Sequence, residues 1–287
     1  MSALDKELDF ARELIRHCGD IALRIQAGGD ETLQTTAKDA DQSPVTMADL
    51  AVEKAIVEAL REHFPADAIL AEESADEADW GASERMWMID PVDGTKDFAR
   101  GDKSWAIHIG LAIGGRPVLG VVHEPGHDRC NWAIDDGQDR LCRYQAGRDS
   151  TVHDVLVDGP PPTPSLRLVT SKSHRSERLD ALMDRLGIGP EQTLRTASAG
   201  VKISMVARGD VGFYAHPTIG TKLWDSCAPQ VILHAAGGRL TDMRGHALPY
   251  TGPGYKNDIG MLATGRGVDH DALVDSLHGL VSEWFPR

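Results

Sequence analysis

The chain has 287 residues, 41% hydrophobic and 26% charged, with a formal net charge of −14. This length supports one large or two moderate domains, and the acidic balance, without any Lys/Arg cluster, argues against a nucleic-acid polymer as partner. No stretch reaches the ~18 continuous apolar residues of a membrane span, and the charged, helical run from Met1 to Glu7 is not that of a signal peptide. Cys18, Cys130, Cys142 and Cys227 lack CxxC spacing. They read as thiols of a reducing compartment, the cytoplasm, not as a disulfide frame or zinc site.

In chain order, Leu8, Ala11, Leu14, Ile15, Cys18, Ala22 and Ile25 recur at helical spacing, predicting an amphipathic first helix that Gly28 and Gly29 end. The polar stretch to Gln42 reads as mobile. Thr46 precedes a second helix with apolar Leu50, Ile56, Val57 and Leu60; Asp49, three residues on, completes a pattern resembling a capping box. Strands are predicted at 68–71, 86–89, 104–113 and 117–124, the last two joined by Gly114-Gly115 as a hairpin. Two short strands follow at 132–134 and 140–144. Asp158-Gly159-Pro160-Pro161-Pro162-Thr163-Pro164 reads as a linker, since its prolines fit neither helix nor central strand. It separates an α+β half, residues 1–160, from an α/β half, residues 165–287. In the second half, strands at 166–170, 193–196, 211–215 and 259–263 alternate with helices at 176–186, 200–208, 225–236 and 269–283.

The most informative stretch is Trp87-Met88-Ile89-Asp90-Pro91-Val92-Asp93-Gly94-Thr95-Lys96-Asp97-Phe98. An apolar strand runs into Asp90 and Asp93, Pro91 bends the backbone between them, and Gly94-Thr95 opens a helical turn. Two carboxylates so placed can face hard cations while the free N–H groups of the turn face an anion. A solvated Asp-Pro-x-Asp-Gly turn has the same local sequence. Glu72, in Leu70-Ala71-Glu72-Glu73-Ser74, also stands at a strand end. Asp225, in Leu223-Trp224-Asp225-Ser226-Cys227-Ala228-Pro229, starts a helix, where a carboxylate equally serves as a cap. Each acid alone has a plain structural explanation. Four of them at element boundaries together point to a site for metal ions and a phosphate.

Glu72-Glu73-Ser74, Asp90 to Thr95 and Trp224-Asp225 resemble, in the right order, the acidic loop and two signatures of the inositol monophosphatase superfamily. The similarity runs from Ser43 to Tyr250. Within that superfamily, Ser43-Pro44-Val45-Thr46-Met47-Ala48-Asp49, Asp93-Gly94-Thr95-Lys96-Asp97-Phe98 and Thr170-Ser171-Lys172-Ser173-His174 are similar to the CysQ-type 3′(2′),5′-bisphosphate nucleotidases. Two segments depart from their pattern. Ser198-Ala199-Gly200-Val201-Lys202 replaces Gly-Ser-Ser-Leu-Lys, and His216 to Lys222 differs from the commoner Pro-Thr-Asn-Ile.

The resemblance implies an α/β class, layered αβαβα sugar-phosphatase fold with its active site between the two halves. It implies a lithium-sensitive, Mg²⁺-dependent phosphatase in which Glu72, Asp90, Asp93, Asp225 and the Val92 carbonyl hold two ions, with Asp49 helping a third. Thr46, Asp49 and Thr95 would be the catalytic group, orienting a water that the cations activate. Gly94 and Thr95 would receive the phosphoryl oxygens; Lys96, Lys172, His174, Ser198 and Lys202 are candidate substrate contacts. The implied substrate is adenosine 3′,5′-bisphosphate (PAP), with its sulfated form PAPS as a further candidate, which belongs to sulfur assimilation. Inositol 1-phosphate and histidinol phosphate are the alternatives, because some histidinol phosphatases also carry Asp-Gly-Thr-Lys. A non-catalytic metal and phosphate sensor on the same scaffold is a third reading. The partner is a small phosphorylated molecule, and the chain acts as a monomer or homodimer.

Overall fold

The computed structural model describes residues 2–37, 44–77, 83–155, 166–172, 176–252 and 254–286. The proline-rich linker, Ser43 and His174 lie outside them. Helix α1 (Asp5–Ala27) is followed by a single turn, α2 (Asp30–Leu33), and a short ladder of β1 (Thr36–Ala37) with β2 (Pro44–Val45). The described part of the polar stretch is therefore folded, where the sequence predicted only a mobile segment. Helix α3 (Met47–His63) starts at Thr46, whose backbone N–H and hydroxyl both donate to Asp49 Oδ2, at 2.8 and 2.6 Å. The capping box forms with Asp in place of Glu. Its core stripe is Val52, Ile56 and Leu60, while Leu50 is 48% exposed, correcting the predicted apolar face. Leu50 lies two residues from Val52, which on a helix is most of a half-turn away from the stripe.

Seven strands form the first sheet: β3 (Ala68–Ala71), β4 (Arg85–Asp93), then after helical turn α4 (Thr95–Phe98), β5 (Ala106–Ile113), β6 (Arg116–Glu124), β7 (Arg129–Asp135), β8 (Arg140–Ala146) and β9 (Val152–Asp154). They lie in sequence order, β3 parallel to β4 and every other pair antiparallel. β4 does not end at Ile89. It continues through Pro91, because Asp90 pairs with His108 and Asp93 with Ala106, and a register shift between these pairs absorbs the proline. Alternation along β4 sorts the faces: Trp87 and Ile89 pack in one core with α1 and α3, and Met86 and Met88 in another.

The second sheet contains β10 (Leu168–Ser171), β11 (Thr193–Thr196), β12 (Phe213–His216), β13 (Arg239–Thr241) and β14 (Met261–Thr264), in the order β11-β10-β12-β14-β13. The helices among them are α5 (Glu177–Leu186), α6 (Ala199–Arg208), α7 (Leu223–Ala235) and α8 (His270–Trp284). β9 and β13 have no counterpart in the sequence-based prediction. α6 and α7 are buried between the two sheets, whereas α5 and α8 cover the outer face of the second. The layers are thus α1/α3, sheet, α6/α7, sheet, α5/α8, the expected αβαβα arrangement. α7 lies hard against the first sheet because Gly120 leaves room: a Cβ there would stand 2.2 Å from the Ala228 carbonyl oxygen. No helix among the described residues is long and apolar enough to cross a membrane.

Candidate active site

β4 carries Asp90 and Asp93 to the edge of the buried α6/α7 layer. Asp90 is buried, and its Oδ1 accepts the Val92 N–H at 3.1 Å. Gly94, with φ of 102°, turns the chain into α4 and brings Thr95 back beside Val92. Thr95 Oγ1 lies 3.1 Å from Asp49 Oδ1 and 3.0 Å from the Val92 carbonyl oxygen. Asp49 therefore joins both threonines, Thr46 at one oxygen and Thr95 at the other. Capping and site geometry are one arrangement here.

The second half supplies the rest. Ser198 Oγ donates to Asp93 Oδ2 at 2.6 Å, and the Gly200 N–H donates to the same oxygen at 2.8 Å. Asp225, in the first turn of α7, accepts the Lys222 N–H on its Oδ2 at 2.6 Å. The predicted cap at Asp225 is real, and it leaves the other oxygen of that carboxylate to the cleft. Glu72, Asp93, Gly94, Thr95, Lys96, Ser198, Lys202 and Asp225 line a cleft of about 320 Å³ between the sheets. Its far wall is the segment His216 to Lys222, with Ile219 59% exposed. Two other cavities, of about 560 and 580 Å³, are larger but do not include these acids. Chemistry, not volume, identifies the site.

A model of the inositol monophosphatase family matches residues 3–281. The chain belongs to the inositol monophosphatase family. It is 30% identical over 262 residues to the 3′(2′),5′-bisphosphate nucleotidase CysQ of Escherichia coli K12, covering 88% of this chain and 99% of that one. It is 29% identical over 300 residues to human 3′(2′),5′-bisphosphate nucleotidase 1, covering 91% of each. The solved inositol monophosphatase of Anabaena (Nostoc) sp. PCC 7120 is 27% identical with a TM-score of 0.72, covering 97% of each chain. As a member of the inositol monophosphatase family the protein is a phosphatase of a metal-dependent group.

The electrostatics of this family member fit a cation. Burial, then the charges of Glu72, Asp93, Asp225 and Asp49, push the Asp90 carboxyl well above its usual range. Burial, with Asp93 and Glu72, raises Asp225 to about 7. Burial likewise lifts Asp49 to about 6 against the bonds from Thr46. Asp93 is the exception: burial works to raise it, but His108, Lys202 and Ser198 outweigh burial and hold it at about 2. Lys202, buried over the Tyr214 ring, is itself lowered to about 8 by burial. Glu72, Asp90, Asp93, Asp225 and the Val92 carbonyl offer oxygen, the donor type that hard divalent cations take, and a ring nitrogen of His108 lies beside two of these acids. The residues present fit such an ion.

Four substrate candidates divide. Lys96 is exposed on the cleft wall, and Lys202 is buried at its base. Ser198 lines the cleft, but its hydroxyl is committed to Asp93 while accepting the Val201 N–H at 3.0 Å. Lys172 is held by Asp102 at 2.9 Å. Trp105, Trp132 and Trp224 are buried, as predicted for core residues.

Sequence reasoning missed His108. Fully buried on β5, its Nε2 is 3.2 Å from Asp93 Oδ2 and its Nδ1 4.0 Å from Asp90 Oδ2, close enough for the three side chains to hold a metal together. A single histidine in an apolar strand carries no local signal. Only the pairing of Asp90 with His108 across β4 and β5 could have raised it.

Proposed function

We propose that this phosphatase removes the 3′-phosphate of PAP, giving AMP and inorganic phosphate, with Mg²⁺ as its cation. The observation that carries the reading is the way the carboxylates divide their oxygens. Asp93, at the end of β4, and Asp225, in the first turn of α7, each turn Oδ2 to protein donors, and among the described residues no protein donor is bonded to Oδ1 of either. Glu72, Asp90, Asp93, Asp225 and the Val92 carbonyl would hold two ions, with Asp49 contributing to a third. When bound, Mg²⁺ would offset the buried negative charge and polarise both the attacking water and the leaving oxygen.

The chain's own residues then position the reaction. Thr46 and Thr95, both tied to Asp49, orient the water on one side of phosphorus. The water oxygen bonds to phosphorus as the P–O3′ bond breaks. Its proton passes toward Asp49, the carboxylate that both threonines hold beside the water. Gly94 and Thr95 receive the phosphoryl oxygens, and Lys96 and Lys202 meet the 5′-phosphate as fixed cations. The 3′-oxygen leaves on the nucleoside and takes a proton from solvent. The nucleotidase names of the Escherichia coli and human relatives support this substrate. Four buried free thiols suit a reducing, cytoplasmic setting.

Steady-state hydrolysis of PAP, PAPS, inositol 1-phosphate and histidinol phosphate tests the reading, with Mg²⁺, with EDTA and with lithium. PAP is expected to be preferred, and EDTA to abolish turnover. Preference for either monophosphate overturns the nucleotide assignment; turnover in EDTA overturns the cation.

A further inference from the structure

Helix α6 reaches the acids through a contact with β5 that only one residue type permits. The His108 ring has Nδ1 3.3 Å from the Trp224 carbonyl oxygen, in the first turn of α7, and Nε2 3.2 Å from Asp93 Oδ2. A Cβ built on Gly200 would stand 2.0 Å from Nε2 and 2.7 and 2.9 Å from the adjoining ring carbons. The ring has nowhere to yield, because it is fully buried among those partners. α6 can therefore dock only because residue 200 has no side chain. At that separation the Gly200 amide and the Ser198 hydroxyl both arrive on Asp93 Oδ2. One imidazole thus touches an acid of β4, the start of α6 and the start of α7, the three elements that bring Asp93, Lys202 and Asp225 to one cleft.

We propose that His108 and Gly200 form a joint that sets the position of Asp93 relative to Asp225, and through it the affinity of the site for its cation. His108 is a positioning residue in this scheme: the ring is a spacer of fixed width between the first sheet and the two buried helices. It keeps α6 close enough to hold Oδ2 of Asp93, so that Oδ1 is presented to the cleft opposite Asp225. The inference rests on the cation reading above.

The test uses the full chain and the variants His108→Ala, Gly200→Ala and their combination, with His108→Leu as a further variant that keeps bulk but removes both ring nitrogens. Mg²⁺ binding is measured by calorimetry without substrate, beside kcat, KM and Tm. Gly200→Ala alone is expected to weaken Mg²⁺ binding by about tenfold or more, the size seen when groups supporting metal ligands are removed. The double variant binds Mg²⁺ no more weakly than His108→Ala alone, since truncating the His108 ring vacates the space the new methyl needs, so the effects are strongly non-additive. His108→Leu weakens Mg²⁺ binding with a smaller change in kcat at saturating Mg²⁺.

Wild-type protein without measurable Mg²⁺ binding overturns the cation reading itself. Wild-type binding with single-variant losses that simply add in the double variant overturns only the joint. So does a Gly200→Ala protein with lower Tm but unchanged Mg²⁺ affinity, because that is a structural role alone. Should Gly200→Ala not fold, unchanged Mg²⁺ affinity in His108→Leu overturns the proposal.

Discussion

Ser198 holds Asp93 from a left-handed backbone: its Oγ is 2.6 Å from Asp93 Oδ2 while its φ is 53°. Such a conformation in a residue with a Cβ costs about 1–3 kcal/mol and persists where the surroundings enforce it. Here the same hydroxyl also caps α6 through the Val201 N–H. Ser198→Gly should relieve the backbone strain and lose only a few tenths of a kcal/mol as a cap, which offsets part of the cost of the lost bond to Asp93 and keeps any fall in Tm small. Turnover should nonetheless fall about 10- to 100-fold, as for loss of a group that supports a metal ligand. Thermal melts beside kinetics separate the two effects, and full activity in this variant would remove the Ser198–Asp93 bond from the mechanism.

Asp93→Asn keeps the size of the side chain and its contacts with Ser198 and Gly200 but removes a charge. We expect kcat to drop by orders of magnitude with circular dichroism and Tm near wild type. Near-normal turnover would take Asp93 out of the site.

Asp49 supports two hydroxyls and one helix end. Asp49→Ala should lower stability by about 1 kcal/mol through loss of the capping box. The fall in kcat should be far larger than that, because Thr46 and Thr95 lose their common anchor. Thr46→Val and Thr95→Val, measured singly and with Asp49→Ala, should show losses that do not add. Additive losses would mean that the three act independently.

Asp49 and Asp225, raised from 3.8 to about 6 and about 7, make the metal-free fold pH-sensitive. Between roughly pH 4 and 7 the folded chain keeps protons that the unfolded chain has released, so stability falls as pH rises and levels off above about 7. Asp93, held at about 2, acts in the opposite sense, its contribution being lost only as pH falls toward 2. Cations bind the ionised carboxylates, so Mg²⁺ should raise Tm more at about pH 7.5 than at about pH 5. An equal shift at both pH values would argue that Mg²⁺ binds elsewhere.

Lys202, at about 8, loses its charge sooner than an ordinary lysine. If it meets the second phosphate, KM for PAP should climb as pH passes 8, and Lys202→Met should raise KM for PAP more than KM for inositol 1-phosphate. Equal changes for the two substrates would assign Lys202 to the common phosphoryl position instead.

Much of this site was legible because its signals are local. Asp90, Asp93 and Glu72 stand beside β-strands whose apolar runs are plain, and Thr46 with Asp49 spans a single helical turn. The αβαβα layering followed from a family resemblance spread along the chain, together with the alternation of strands and helices in the second half. Other features rest on partners far away in sequence. Asp93 and Ser198 are 105 positions apart, so nothing near Ser198 shows that its hydroxyl turns to an acid and not to a substrate. The same holds for His108, which looks like one more residue of a buried strand until β4 lies beside it. β4 runs through Pro91 because β5 pairs with both acids across a register shift, which overrides the local tendency of proline to end a strand.

The sequence by itself determined the donor chemistry: oxygen ligands at element ends, a capped helix, a Gly-Thr turn and an acidic chain without a basic patch. Only the tertiary structure decided which oxygen of Asp93 stays available, because that depends on hydrogen bonds donated by Ser198 and Gly200 from the other half of the molecule. It also decided that residue 200 must lack a side chain, since two buried groups cannot occupy the volume that the His108 ring already fills.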